Sequence, residues 1–389
     1  MLKIDKNNRL SENEYKYQIQ DVAEPELFRT FYEYTSIPKV AFNERHVPMI
    51  TPEELWITDT TFRDGQQSTS PFTVEQIVEI YKMLSRLSGP NGIVRQSEFF
   101  LYSEKDRRAV EKCMELGLEF PEITSWIRAN PKDFELVKQM GVKETGILVS
   151  CSDYHIFKKM NLTRQGAMDK YLSIIKAALE QNIVPRCHFE DITRADFYGF
   201  VVPFATELMK LSRETGIPIK IRACDTMGFG ISYPGASLPR SVPGIIYGLN
   251  HFADVPSAQL EWHGHNDFYK VVTNAATAWL YGCSGVNCSL FGIGERTGNC
   301  DIVTLALNMF SHGVDPGLNF ENMKEVVEMY EKYTDMEVPM RAPYGGQLVF
   351  AAFSGSHQDA ISKGMKYRDE KSEHQWTCPY LPIDPHDIG

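Results

Sequence analysis

Apolar residues between positions 55 and 293 arrive in short bursts separated by longer amphipathic stretches. The bursts are rich in β-branched and aromatic residues and read as strands, while the stretches between them carry a helical period. Eight bursts are found: Leu55–Phe62, Val94–Leu101, Glu122–Arg128, Gly146–Ser152, Val184–Ile192, Pro218–Thr226, Ala258–Asp267 and Gly285–Ile293. Helical stretches between them include Thr73–Leu87, Glu104–Leu116, Thr163–Gln181 and Val202–Thr215. Thr73, with Gln76 three residues on, and Thr163 stand where N-caps belong. Eightfold alternation of strand and helix predicts an α/β fold, a TIM (β/α)8 barrel and not an open doubly wound sheet. No G-x-G-x-x-G follows the first burst and no P-loop occurs, so nucleotide-cradling folds lack their marker.

The rhythm divides the chain into three parts. Residues 1–50 form an N-terminal extension, polar and aromatic (Glu24 to Tyr34), expected to pack on another surface such as a partner subunit. Residues 51–320 form the barrel. Residues 321–389 form a C-terminal subdomain expected to contribute to the active site: a helix over 321–333, a loop over 340–346, and an end stiffened by Pro379, Pro382 and Pro385.

Composition narrows the function. A chain of 389 residues with 43% hydrophobic and 23% charged residues is an ordinary soluble globular protein. Forty basic against 51 acidic residues leave a charge of −11, which argues against nucleic acid or an anionic membrane as partner. The start is too polar for a signal peptide, and no apolar run approaches membrane-spanning length. Eight scattered cysteines without a C-x-x-C pair fit free thiols in the cytoplasm.

A barrel carries its chemistry at the carboxyl ends of its strands, and polar residues gather there. Arg63 and Asp64 end the first burst, Glu98 lies in the second, Arg128 ends the third, and Arg186, His188 and Glu190 alternate along the fifth. Thr226 ends the sixth; His263 and His265 end the seventh; Gly292, Gly294, Glu295, Arg296 and Asn299 follow the eighth. Two histidines at i and i+2 on a strand share a face, so both imidazoles can meet one metal ion, with Asp64 adding a carboxylate. Such an oxygen and nitrogen set with open positions suits a divalent Lewis acid.

Arg63-Asp64-Gly65-Gln66-Gln67, His263-Gly264-His265-Asn266-Asp267 and Gly292 to Asn299 together resemble the metal-dependent Claisen-condensing barrels. That family includes isopropylmalate, homocitrate and citramalate synthases and hydroxymethylglutaryl-CoA lyase. Ser354 to Ile361 and Pro379 to Pro385 resemble the long isopropylmalate synthase branch; its leucine-sensing regulatory domain is not expected here. The resemblance implies Asp64, His263, His265 and Asn299 as metal ligands. It implies Arg63 and Thr226 for the 2-oxo acid, Glu190, His357 and Tyr380 for acid/base work, and the loop 292–296 beside acetyl-CoA. The cation would be Mn²⁺, with Mg²⁺, Co²⁺ or Zn²⁺ also compatible, and a homodimer is expected.

Which 2-oxo acid is used turns on the fifth strand. Arg186 falls where homocitrate synthases hold a second carboxylate, and His188 replaces the usual small serine. Two cations facing a closed pocket call for a balancing anion, and the larger His188 shortens the pocket, so a short dicarboxylate, oxaloacetate, is expected. Glu98 and Arg128 complete the expected substrate site. The runs Arg95 to Ser103 and Ser150 to Phe157 resemble the Re-face citrate-forming branch, which implies acetyl-CoA, oxaloacetate and water giving citrate and CoA. Isopropylmalate or homocitrate synthesis is the alternative.

Overall fold

The computed structural model describes residues 2–4, 10–12, 17–32, 41–371 and 376–388. All eight expected strands form, seven shorter than their apolar bursts and the fourth of equal length but starting two residues earlier, at Glu144. They are β1 (Trp56–Asp59), β2 (Val94–Phe99), β3 (Glu122–Ile127), β4 (Glu144–Ser150), β5 (Val184–Glu190), β6 (Lys220–Asp225), β7 (Leu260–Gly264) and β8 (Gly285–Cys288). Every strand pairs in parallel with its sequence neighbours. β8 closes the ring on β1, with Gly285 opposite Trp56 on one side and Glu261 on the other. The closed barrel leaves no sheet edge.

One α-helix follows each strand: α1 (Val74–Leu87), α2 (Glu104–Glu115), α3 (Phe134–Gln139), α4 (Arg164–Leu179), α5 (Val202–Thr215), α6 (Val242–Phe252), α7 (Val271–Leu280) and α8 (Ile302–Ser311). The N-caps at Thr73 and Thr163 are made; Thr73 and Gln76 bond reciprocally, as a capping box does. Helices α6 to α8 escape the sequence pattern because they are apolar on most sides and packed on most sides. Side-chain caps fix the starts of two of them, Ser241 for α6 and Asp301 for α8.

The outer face of the sheet is oily. Ile57, Phe99, Ile127, Ile147, Phe189, Ile221, Trp262 and Val286 are all buried against the helices. The space inside the ring is not. Barrel interiors are ordinarily filled by branched apolar side chains, but here Gln96, Glu98, Glu144, Arg186, His188, Arg222 and Glu261 are buried. These charges balance one another. Arg222 lies 3.0 Å from Glu98 and 2.8 Å from Glu261. Arg186 pairs with Glu144 and lies 3.3 Å from Glu261, and Lys220 reaches Glu144 at 2.7 Å.

Residues 17–32 of the N-terminal extension pack on the chain's own barrel, around the loops after β4, β5 and β6. Gln20 N donates to Gly199 O (3.0 Å), Tyr154 Oη donates to Leu27 O (2.9 Å), and the Arg240 guanidinium sits 3.5 Å from the centre of the Tyr32 ring. Arg164, fully buried at the start of α4, ties this seam together. It forks onto Asp153 (2.9 and 2.7 Å), reaches Asp196 (2.9 Å) and donates to Gln20 O (3.0 Å).

Beyond the barrel, α9 (Met323–Thr334) lies against α1, with Arg86 2.6 Å from Glu325. α10 (Gly355–Lys371) buries none of its residues.

Removing one partner from a buried charge cluster costs about 3–5 kcal/mol. Arg164→Ala, which leaves Asp153 and Asp196 without their cation, is therefore expected to lower unfolding free energy by about that much in urea. A change below about 1 kcal/mol would place Arg164 among inconsequential surface pairs.

Candidate active site

The mouth of the barrel is built from turns that begin where strands end. After β1, the N–H groups of Arg63, Asp64 and Gly65 all donate to Thr60 O at 2.9–3.1 Å, a tight turn that swings Asp64 inward. β7 carries His263 inward, and His265 follows on the same face. The chain returns after β8 so that Asn299 bridges to His265, its N–H donating to Gly292 O (2.9 Å). A Cβ on Gly294 would stand 2.5 Å from Asn299 Nδ2, so glycine there is what lets the amide lie against the loop.

These residues converge. His263 Nε2 and His265 Nε2 are 3.3 Å apart, and Asp64 Oδ2 lies 3.5 and 3.7 Å from them. Two ligands about 2.1 Å from one ion stand roughly 3.0–3.5 Å apart, so the spacing fits a shared divalent cation. Asp64 Oδ2 and Asn299 Oδ1 are buried without a hydrogen-bond partner, a costly state that a cation relieves. Asn287 Oδ1 meets His263 Nδ1 at 2.8 Å and is itself anchored by its amide on Thr58 Oγ1 (2.9 Å). That contact fixes the tautomer and leaves the Nε2 lone pair facing Asp64. Burial keeps both imidazoles neutral: His263 falls well below its usual range and His265 falls too. Burial alone would raise the Asp64 carboxyl, but Arg63 and the two imidazoles outweigh it and hold it ionised. Asn287 escaped the sequence reading; its one signal is an amide inside the apolar run of β8.

Beside this centre lies Arg63, almost fully buried. Its Nε donates to Glu98 Oε2 (2.8 Å) and its Nη1 is 3.4 Å from Asp64 Oδ2. Glu98, expected to bind substrate, has no exposed surface; it accepts from Arg63, Thr60 and Arg222. Burial would raise its carboxyl, yet Arg222, Arg63 and His188 hold it well below the usual range. Glu98 holds Arg63 and does not line the mouth.

Arg186, expected at a second substrate carboxylate, is also corrected. It sits four residues below Glu190 on β5, about 13 Å deeper at the rise of a strand, and its charge is already met by Glu144 and Glu261. His188, one layer higher, is no cation either. Burial and Arg222 push it down to about 3, against Glu98 at 3.4 Å. The pair of uncompensated cations inferred from the sequence does not exist.

Glu190 lies at the top of β5. Its Oε2 accepts from Ser150 Oγ and lies 3.1 Å from His155 Nδ1 and 3.6 Å from Lys159 Nζ. Burial would raise its pKa, but His155, Ser150 and Lys159 bring it down to about 2. Asp191 follows with φ at +65° and forks onto Arg194. Thr226 Oγ1 accepts from Asp191 N (2.8 Å). Arg296 forks onto Asp267 (2.9 and 3.0 Å) and donates to Thr226 O (2.6 Å), tying three rim loops; Glu295 lies 3.5 Å from it. Arg128 is 67% exposed, over Tyr102 and 3.5 Å from Asp133. His357 and Tyr380 stack on one another with ring centres 4.0 Å apart. Among the described residues neither makes a hydrogen bond or ion pair to the mouth.

The architecture and this centre define a class: a (β/α)8 barrel with two histidines and one carboxylate spaced to hold a metal ion at its carboxyl mouth. Residues 54–329 match the HMGL-like family and residues 347–389 match the post-catalytic, domain-like region of alpha-isopropylmalate synthase; the chain belongs to the HMGL-like family. It is 53% identical over 354 residues to citrate (Re)-synthase of Clostridium kluyveri, covering 90% of this chain and 77% of that protein. It is 51% identical over 350 residues to citrate (Re)-synthase of Syntrophus aciditrophicus, covering 90% of this chain and 56% of that longer protein. The crystal structure of hydroxymethylglutaryl-CoA lyase from Pseudomonas aeruginosa shares the fold, with a TM-score of 0.56 at 17% identity over 75% of this chain and 97% of that one.

A ligand that binds only the folded state at 100 times its Kd stabilises by about 2.7 kcal/mol. Mn²⁺ is expected to raise the melting temperature of the wild type accordingly, and Asp64→Asn and His265→Ala to abolish the rise. An undiminished rise in both variants would put the ion elsewhere.

Proposed function

We propose that this chain condenses acetyl-CoA with oxaloacetate and water to give citrate and CoA, an acyltransferase that turns the acyl group into an alkyl group on transfer. The observation that carries this reading is identity above 50% over nine-tenths of the chain with two citrate (Re)-synthases.

The mouth has the parts for such a reaction. A divalent cation held by Asp64, His263, His265 and Asn299 supplies Lewis acidity at a keto carbonyl. Two nitrogen and two oxygen donors suit Mn²⁺, and equally Mg²⁺, Co²⁺ or Zn²⁺. Arg63, its Nε fixed on Glu98, presents the rest of its guanidinium to the carboxylate of a 2-oxo acid. Thr226, whose O–H points only weakly at Cys224 O (3.5 Å), can donate to the same carboxylate. His188, neutral and bulky, fills the floor below, which supports a short 2-oxo acid such as oxaloacetate. The rim from Gly292 to Arg296 is the place for acetyl-CoA, and Arg128, exposed beside Asp133 and Tyr102, is a cation at the edge for an anionic substrate.

A homodimer is part of the reading. No residue of α10 is fully buried within its own chain, and Phe353 and Tyr380 are 83% and 63% exposed. A second copy would cover them. His357 and Tyr380 would join the acid/base chemistry only where this subdomain reaches a mouth. All eight cysteines are buried and unpaired, which fits the cytoplasm. Among the described residues no helix is long and apolar enough to cross a membrane.

Isopropylmalate synthesis is the second reading, favoured by the match at residues 347–389. Thiol release by the Mn²⁺-loaded chain, measured with oxaloacetate, 2-oxoglutarate, 2-oxoisovalerate and pyruvate, decides between them. The highest kcat/KM is expected with oxaloacetate; a preference for 2-oxoisovalerate would overturn the first reading in favour of the second.

A further inference from the structure

We propose that Asp191 is a positioning residue whose left-handed turn aims the Thr226 hydroxyl at the carboxylate common to all 2-oxo acids. This rests on the Claisen reading of the mouth, in which Thr226 meets that carboxylate. Thr226 lies beside the candidate metal ligands. The carbonyl oxygen of its neighbour Asp225 accepts from His265 N (3.3 Å), and a Cβ on Gly228 would stand 2.8 Å from His265 O. The end of β6 and the turn after it therefore run along the backbone of His265.

A threonine hydroxyl rotates to suit its partners, so what it offers a ligand depends on what already occupies it. The Asp191 N–H donates to Thr226 Oγ1 at 2.8 Å. That contact fills an accepting position of the oxygen and leaves the hydroxyl hydrogen to seek an acceptor. Among the described residues the acceptor it finds is Cys224 O at 3.5 Å, at the edge of hydrogen-bond range. A carboxylate oxygen in the mouth is a much stronger one. From the far side Arg296 donates to Thr226 O (2.6 Å), so the backbone of the residue is held as well.

The Asp191 N–H reaches a side chain because the backbone there leaves the sheet abruptly. The ladder between β5 and β6 ends with Phe189 opposite Ala223. Two residues on, Asp191 adopts φ +65° and ψ +37°, a left-handed conformation that costs any residue with a side chain and recurs at functional sites. Its own carboxylate holds it in that state. Fully buried, the carboxylate accepts from Ser152 Oγ at 2.6 Å, just past the end of β4, and from Arg194 Nε at 2.8 and 3.0 Å. A buried charge persists only when it is met in this way, and the same contacts pin the turn beneath it. Asp191 thus joins the ends of three successive strands, with Ser152 on one side and Thr226 on the other.

The test uses the full Mn²⁺-loaded chain. It reads KM for whichever 2-oxo acid the wild type turns over best, and the Kd of that acid by calorimetry without acetyl-CoA. Asp191→Ala removes both anchors and tolerates the left-handed turn poorly. It is expected to raise KM and Kd about 10- to 100-fold, the worth of one hydrogen bond to a charged group, with Mn²⁺ affinity unchanged. Asp191→Asn keeps an acceptor for Ser152 and suits the turn, so it is expected to restore both to within about threefold of wild type. Thr226→Val is expected to cost as much as Asp191→Ala, and the double variant no more than Thr226→Val alone. The factor is expected to be the same for oxaloacetate and pyruvate, which share the carboxylate. The order of preference among 2-oxo acids, on which the proposed function stands or falls, is then unmoved, so the two readings fail separately. An Asp191→Ala KM within about threefold of wild type would overturn the proposal, as would losses that multiply in the double variant. Should Asp191→Ala not fold, Ser152→Ala removes a single contact to the carboxylate and is expected to raise KM about three- to tenfold. No rise there overturns the proposal equally.

Discussion

One carboxylate without solvent, that of Glu98, holds the interior of this barrel to the chemistry at its mouth. Arg63 leans on it from above at 2.8 Å and Arg222 from below at 3.0 Å, with His188 beside it at 3.4 Å. A buried charge is tolerated only when it is paired and hydrogen-bonded. Each of these groups therefore fixes the others, and Arg63 reaches Asp64 (3.4 Å) in a single orientation. Below, Arg186, Lys220, Glu144 and Glu261 continue the alternation of sign toward the floor. Such pairs add little net stability over an apolar core; their consequence here is geometric, a rigid base under a site that depends on tenths of an ångström.

Environment then sorts side chains of one kind into different roles. Asp64 and Glu190 are both ionised carboxylates at strand ends. Asp64 points an unpartnered oxygen at two imidazoles, whereas Glu190 is covered by Ser150, His155 and Lys159. The first is left with an oxygen facing two imidazoles, and the second has its charge met by its neighbours. The histidines divide likewise. Burial lowers the pKa of His263 and His265, which favours the neutral form that a metal site requires, and His155 stands between the Glu190 and Asp191 carboxylates at the rim.

Most of the fold was legible in the chain because strand and helix periods alternate cleanly from β1 to α5. All eight strands were found, and Thr73 and Thr163 marked two helix starts. What was lost was depth. Period two tells which way Arg186 points but not how far down the ring it lies, so a residue four positions below the mouth was read as facing substrate. Partners were lost too: Glu144 and Glu261, which neutralise Arg186, come from strands far apart in sequence. The convergence of Asp64, His263 and His265 was readable because two sit at i and i+2 on one strand and the third stands in a short motif. Asn287 was passed over, in an apolar strand where no spacing marks it.

The central claim is that two imidazoles, a carboxylate and an amide share one cation above Glu98 and Arg63. Pulsed electron paramagnetic resonance of the Mn²⁺-loaded chain, prepared with and without ¹⁵N-labelled histidine, tests it directly. Coupling to two histidine nitrogens that changes with the label is the predicted result. A spectrum showing only water protons around the ion would contradict the account.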